Sequence, residues 1–310
     1  MTNPVKFSFK GVIATAFAPF EGRSAERLNL SAIPEYAKYF AENHFKAVLV
    51  NGTYGEGMAM TVDERIQVAN AWAEAAERNN QQIIVQVGGT NLQDVKTLAA
   101  HAQSINANAI LCLPELYYKS KTVQDLIDYL AEVAASAPTV PLFYYHSPDA
   151  TGVALNMVEF FKKVGDTIPS LGGIKFASTK LDECTLAVKA AADKFRVVVA
   201  SNYILPACIA IGVDTFMPTS INIAPKLVNG IYDSAMSGDI SSAQALQLKL
   251  VDVINGLSAI DKNVMPVMKA VTRRLLMPTI DIGSTRKPLK NYDSVVAKSQ
   301  LVSAITNLLQ

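Results

Sequence analysis

Three observations on the 310-residue sequence predict an α/β fold of the closed (β/α)8, or TIM-barrel, type with a C-terminal helical extension. Eight short apolar runs alternate with longer helical patterns between residue 11 and about residue 238. Each run is continuously apolar rather than alternating, as parallel strands covered on both faces require. Neither a GxGxxG nor a GxxxxGK[ST] follows the first run, which disfavours an open, nucleotide-binding sheet.

The strand-like runs are, in order, GVIATAFAPF (11–20), KAVLVNG (46–52), IIVQVG (83–88), AILCLP (109–114), PLFYYH (141–146), LGGIKFAS (171–178), RVVVAS (196–201) and TFMPTS (215–220). Between them, TVDERIQVANAWAEAAE (61–77) opens on Thr61 with Glu64 three residues later, the reciprocal pair of a capping box. LQDVKTLAAHAQSI (92–105) repeats the helical period, and KTVQDLIDYLAEVAASA (121–137) does so until Pro138, whose predecessor is driven out of the α region. Beyond about residue 239 the strands stop. SAQALQLKLVDVINGL, KNVMPVMKAVTRRLL and DSVVAKSQLVSAITNLL read as helices, and MPTIDIGSTRKPLKNY (277–292) as a long irregular connection. The expected division is a barrel over residues 1–238 and a helical extension packed on it over 239–310.

Composition narrows the function classes. Half the residues are apolar and 18% are charged, enough for a large core and too few charges for wholesale disorder. With 28 basic and 27 acidic residues, no net field attracts nucleic acid or an anionic membrane. Cys112, Cys184 and Cys208 lie far apart in apolar runs with no CxxC pair, so buried reduced thiols are expected. MTNPVKFSFK has no apolar signal core, and no segment is apolar for long enough to span a bilayer; a cytoplasmic protein is the expectation.

The chemistry centres on Lys175 in GGIKFAS (172–178). Side chains alternate across a strand, so a Lys175 that points into the barrel shares its face with the small Gly173 and Ala177, while Ile174 and Phe176 point out to the helices. Open space then surrounds the amine. A lysine that snorkels from a strand end to water is the plainer alternative. Three other residues favour the reactive reading. Tyr145 lies near the end of the fifth run, and Thr53 with Tyr54 follows the second in GTYGEG, so all lie toward the C-terminal ends of strands, where barrel enzymes work. The glycines of GTYGEG allow a tight loop whose N–H groups can meet a carboxylate. A desolvated neutral amine attacks a ketone to form a Schiff base, and a nearby phenol moves protons at the breaking bond. Together these parts describe a class I aldolase using a 2-oxo acid.

GTYGEG, YYHSP followed by TGV, and GGIKFAS, in that order and spacing, resemble the N-acetylneuraminate lyase and dihydrodipicolinate synthase superfamily over nearly the whole chain, most of all the animal-type N-acetylneuraminate lyases. The resemblance implies that Lys175 is the Schiff-base lysine, that Tyr145 transfers protons, and that Thr53 and Tyr54 occupy the pyruvate-carboxylate loop. It further implies a homotetramer with no metal or organic cofactor. Tyr54 departs from the usual Gly-Thr/Ser-Thr-Gly-Glu pattern. Ala150 stands where the synthases place an arginine, which disfavours that activity. Ala177, Asn202 with Tyr203, and Pro218-Thr219-Ser220 replace, respectively, the hydroxyl residue, the acidic pair and the Gly-Ser-Thr of sialic acid lyases. The expected function is therefore a pyruvate-dependent, N-acetylneuraminate lyase-like aldolase with a rebuilt acceptor pocket formed by Ala177, Asn202, Tyr203 and Thr219. Alternatives are an aldolase or hydro-lyase for a less hydroxylated acceptor, and a 2-oxo-acid-binding barrel without turnover.

The remaining candidates read as structural. His146 should face away from the pocket, and His44 and His101 lie on helical patterns without metal-ligand spacing. Glu56 reads as a loop-fixing acceptor, and Arg273-Arg274 as a solvated helix face. Tyr117 and Tyr118 follow the fourth run; they either pack locally or, by the resemblance, reach a neighbouring subunit's site.

Overall fold

Residues 7–308 are described in the computed structural model of the chain. Their strands are β1 (Gly11–Val12), β2 (Ala14–Thr15), β3 (Ala47–Val50), β4 (Gln82–Gln86), β5 (Ala109–Cys112), β6 (Leu142–His146), β7 (Leu171–Phe176), β8 (Arg196–Val199) and β9 (Thr215–Phe216). All pairings between them are parallel, in the order β1-β9-β8-β7-β6-β5-β4-β3-β2. The first apolar run supplies both ends of that order. Its two halves, separated only by Ile13, pair with β9 on one side and β3 on the other. One continuous strand thereby joins the two edges, and the barrel is closed with no free edge to template aggregation.

Alternation along the strands explains why the runs are apolar throughout. Ala47, Leu49, Ile84, Ala109, Leu111, Phe143, Tyr145 and Val198 turn inward, with Ile13 and Met217, into a small core inside the barrel. Val48, Val50, Ile83, Val85, Ile110, Leu142, Ile174 and Phe176 turn outward into the larger core under the helices. Both faces exclude water, so both carry apolar side chains.

Two runs are shorter than expected. The first ends at Thr15, after which the chain bends to the Phe20–Leu28 bridge. The last ends at Phe216, because Pro218 has no N–H to continue a ladder and the chain enters a 3-10 turn over Thr219–Asn222.

The helices are α1 (Ile33–Glu42), α2 (Val62–Arg78), α3 (Leu92–Ser104), α4 (Val123–Ala135), α5 (Pro148–Thr151), α6 (Met157–Val164), α7 (Leu181–Ala191), α8 (Leu205–Ala210), α9 (Pro225–Met236), α10 (Ile240–Ser258), α11 (Val264–Leu276), α12 (Asp293–Lys298) and α13 (Leu301–Leu308). The capping box of α2 forms as read: Thr61 Oγ1 accepts the Glu64 N–H at 3.2 Å, and the Glu64 carboxylate accepts the Thr61 N–H at 2.9 Å. No helix of the described residues is long and apolar enough to cross a membrane.

The C-terminal segment departs from expectation in one respect. Arg274 is exposed, but Arg273 turns inward, its Nε donating to Asp281 at 2.8 Å and its Nη1 to Asp293 at 2.6 Å. The solvated-face reading fails for Arg273 because both partners lie beyond the helix, where no helical period reveals them. The same ion pairs fasten the 277–292 connection, in which Ile280, Ile282 and Ser284 are buried.

Candidate active site

Strand register decides what meets in the barrel mouth. Tyr145 on β6 pairs with Lys175 on β7, which pairs in turn with Val198 on β8. Side chains at one register level face the same way, so Lys175 and Tyr145 meet: Nζ lies 3.7 Å from the phenol ring centroid. Both are buried, at 4% and 5% exposure, so Lys175 does not snorkel to water.

Gly173 has a different role from the one expected. The register between β6 and β7 shifts between Leu142 and Phe143, and Gly173 sits at that bulge with φ +148°. A Cβ there would lie 1.9 Å from the Arg196 carbonyl oxygen. Its smallness serves backbone approach, not space around the amine. That space comes from Ala177 and Ala200, which line a cavity of about 300 Å³ with Lys175, Tyr145, Thr53 and Tyr54.

The loop between β3 and α2 brings Thr53 over this cavity. Its Oγ1 lies 3.2 Å from the Tyr145 hydroxyl. The loop turns because Glu56 adopts the left-handed conformation, φ 48° and ψ 32°. Gly57 follows where a Cβ would come within 2.1 Å of the Asn51 carbonyl oxygen. Burial pushes the Tyr145 phenol up, but the Lys175 charge, a hydrogen bond from Lys175 and one from Thr53 leave it, on balance, below its ordinary value. Tyr54 is the contrary case. Burial raises its phenol to about 12 despite a hydrogen bond from Thr219, and its ring packs 5.5 Å from that of Phe17. The two tyrosines of one pocket are thus separated in acidity by the lysine that only Tyr145 touches.

On the far side, Ala177, Asn202, Tyr203 and Thr219 all line the cavity. The Asn202 side chain is also engaged within the fold. Its Oδ1 accepts the N–H groups of Thr219 at 3.1 Å and Ser220 at 3.2 Å, and its Nδ2 donates to Thr219 Oγ1 at 2.9 Å. The side chain is committed to holding the turn after β9, because Pro218 ends the ladder and leaves those N–H groups to be satisfied. Tyr203 stands at the mouth, 38% exposed, its N–H donating to Ser201 Oγ at 3.1 Å.

Other candidates fall outside this cavity. His146 faces the helices, buried and stacked on Phe176 with centroids 5.5 Å apart, and burial lowers its imidazole to about 4. His101 bonds Asn70 at 2.8 Å; His44 lies just past α1 in a left-handed turn, φ 67°, and not on a helix. Cys112, Cys184 and Cys208 are free and buried. Tyr117 and Tyr118 do not pack locally except on each other, with centroids 5.0 Å apart and exposures of 82% and 83%. A larger groove of about 930 Å³ between residues 23–26 and 285–292 holds none of the residues singled out from the sequence.

Sequence reasoning missed Lys269. Wholly buried on α11, it donates to Glu56 Oε1 at 2.5 Å and to the Ala18 carbonyl at 2.8 Å. The available signal was a single lysine inside the apolar stretch VMPVMKAV.

The profile of the dihydrodipicolinate synthetase family matches residues 8–307. N-acetylneuraminate lyase of Rattus norvegicus is 30% identical over 287 residues, 92% of this chain and 88% of that protein. N-acetylneuraminate lyase of Danio rerio is 33% identical over 256 residues, 82% of each. Among solved structures, N-acetylneuraminate lyase of Proteus mirabilis superposes with a TM-score of 0.86 at 26% identity, covering 97% of both chains. The lyase of Aliivibrio salmonicida does so at 0.85 and 28%, covering 97% of this chain and 96% of that one. With a family profile spanning nearly every described residue and a barrel that superposes on its members, the chain belongs to the dihydrodipicolinate synthetase family.

Proposed function

We propose that the protein is a pyruvate-dependent, Schiff-base-forming aldolase of the N-acetylneuraminate lyase type, with an acceptor pocket suited to an aldehyde bearing fewer hydroxyls than a sialic acid sugar. The observation that carries the reading is the buried Lys175 amine against the Tyr145 ring, with Thr53 on the phenol oxygen. In its neutral form the amine attacks the C2 carbonyl of pyruvate, and loss of water gives an iminium conjugated to the carboxylate. The iminium accepts the electron pair released when the C3–C4 bond of the adduct breaks, or when a C3 proton leaves in the condensing direction. Tyr145 takes the proton from the C4 hydroxyl on cleavage and returns it on condensation, its lowered phenol pKa matching it to that exchange. Thr53, Tyr54 and the N–H groups of their loop receive the carboxylate.

The acceptor side supports the narrower substrate reading. A buried hydroxyl left without a partner costs about 1–3 kcal/mol. Ala177 offers no partner, Pro218 has no N–H, and Asn202 and Thr219 are bonded to each other. Tyr203 presents an aromatic ring to the mouth. The opposing observation is the name shared by the relatives, which favours N-acetylneuraminate itself.

Borohydride reduction in the presence of pyruvate tests the reaction class: a reduced pyruvyl adduct on Lys175, read by peptide mass, is expected. An unmodified Lys175 removes the proposal, and an adduct without turnover on any aldehyde points to a binding barrel. A panel of sugar and non-sugar aldehydes tests the acceptor. N-acetylneuraminate proving the best substrate by a wide margin would overturn the rebuilt-pocket reading. We read the working unit as a cytoplasmic homotetramer without metal or organic cofactor, supported by the family resemblance and by the unpacked Tyr117–Tyr118 pair.

A further inference from the structure

We propose that Lys269, a residue of the C-terminal extension, is a positioning residue for the 2-oxo-acid carboxylate, acting through Glu56 on the loop that carries Thr53 and Tyr54. This inference rests on the assignment of that loop to pyruvate. Glu56 and Lys269 lie 213 positions apart, and both side chains are fully buried. Removing two charges from water is expensive, and a buried pair often stabilises a fold no more than apolar residues of equal size would. What this pair does to the geometry of the loop is traceable.

Glu56 is the left-handed residue on which the loop turns. Its N–H donates to the Thr53 carbonyl at 3.2 Å, and the Gly57 N–H to the Gly52 carbonyl at 3.2 Å. A displacement of Glu56 is therefore passed by one hydrogen bond to Thr53. The Glu56 carboxylate has two anchors, both from the extension: Lys269 Nζ on Oε1, and the Arg286 backbone N–H on Oε2 at 2.8 Å. Lys269 is itself held by the Ala18 carbonyl at 2.8 Å and by the Phe20 ring, 4.5 Å from Nζ to centroid. Arg286 donates to the Ala59 carbonyl at 3.1 Å and to Glu64 at 2.7 Å, fastening the end of the loop. The start is held within the barrel, Asn51 Nδ2 donating to the Arg65 carbonyl at 2.9 Å. Between these ends, Thr53 and Tyr54 touch only the pocket's own Tyr145 and Thr219 by side-chain hydrogen bonds. The carboxylate-binding half of the site thus takes its position from the extension, through Lys269 on α11 and Arg286 beyond it.

The test uses the full-length protein and two variants. Lys269→Met removes the ammonium; Glu56→Asp keeps both charges but shortens the tether by one methylene. Two readouts are taken: hydrogen exchange of the peptide covering residues 51–60, and the pyruvate concentration that half-saturates borohydride-trapped adduct on Lys175. In both variants, loop exchange is expected to rise at least tenfold. The half-saturating pyruvate is expected to rise at least fivefold, with turnover at saturating pyruvate falling less than threefold. A purely structural role would lower the melting temperature and the active fraction while leaving half-saturation unchanged. Half-saturation within twofold of wild type in a folded variant, or unchanged loop exchange, overturns the proposal. If Lys269→Met does not fold, Glu56→Asp decides. A wild-type protein that forms no adduct defeats the assignment of pyruvate, and the exchange arm then still decides whether Lys269 positions the loop.

Discussion

Tyr145→Phe removes one oxygen and leaves the ring under Lys175. The ring centroid stays 3.7 Å from Nζ, so the contact that places the amine survives. What is lost is the phenol's hydrogen bond to Thr53 Oγ1 at 3.2 Å and the one it receives from Lys175. A neutral hydrogen bond contributes about 0.5–1.5 kcal/mol net. Thr53 is exposed, so water can replace its lost partner, whereas the buried Lys175 loses its own, and the stability change belongs at the upper end of that range. Turnover behaves differently. A positioned proton-transfer group is worth roughly 10²–10⁴-fold in rate, or about 3–5 kcal/mol of barrier. The variant is therefore expected to melt within a few degrees of wild type, to form the borohydride-trapped adduct on Lys175, and to turn over at least a hundredfold more slowly. Thermal melts, peptide mass and steady-state kinetics on one preparation give all three numbers. Turnover within tenfold of wild type would remove Tyr145 from proton transfer. Loss of the adduct would show that the phenol is needed earlier, in forming the Schiff base.

Thr53→Val withdraws one of the groups that lower the Tyr145 phenol. Its pKa should rise and the alkaline limb of the rate profile move to higher pH, with kcat/KM down about tenfold; an unmoved limb contradicts the assignment. His146 concerns stability alone. Burial holds its imidazole at about 4 against an ordinary 6.5, so between those values the unfolded chain binds the proton first and stability falls as pH falls. Lowering the pH from 7 to 5 should remove about 2 kcal/mol through this group, and His146→Gln should lose that much less; equal losses in urea melts would refute it. Replacing Tyr117 and Tyr118 together by Ala should leave the monomer's melting behaviour unchanged, since their rings touch no part of the chain's core, while weakening assembly measured by light scattering. An unchanged assembly would show that the pair is no interface.

The fold and the meeting of Lys175 with Tyr145 in the barrel mouth were legible because both depend on local periods. Strand alternation alone sends Lys175 and Tyr145 inward and His146 and Phe176 outward, and the two cores divide along that alternation. What the sequence did not disclose depends on partners distant in the chain. Gly173 looked like room for an amine, but its φ of +148° answers a register shift between two strands that no single strand contains. Asn202 lines the pocket as expected, yet its side chain is bonded to N–H groups that Pro218, sixteen positions on, strands beyond the last ladder. Lys269 stands inside the apolar stretch VMPVMKAV and is the counter-ion of Glu56. The last two cases share a cause. A backbone or buried charge must be satisfied somewhere, and the residue that satisfies it is set by three-dimensional proximity. It follows that a polar residue beside a pocket is a ligand contact only if its hydrogen-bonding capacity is still open. By that criterion the acceptor side, where Asn202 and Thr219 bond each other, is poorer in free donors and acceptors than its list of side chains suggests. That deficit, more than any single substitution, argues for a less hydroxylated acceptor.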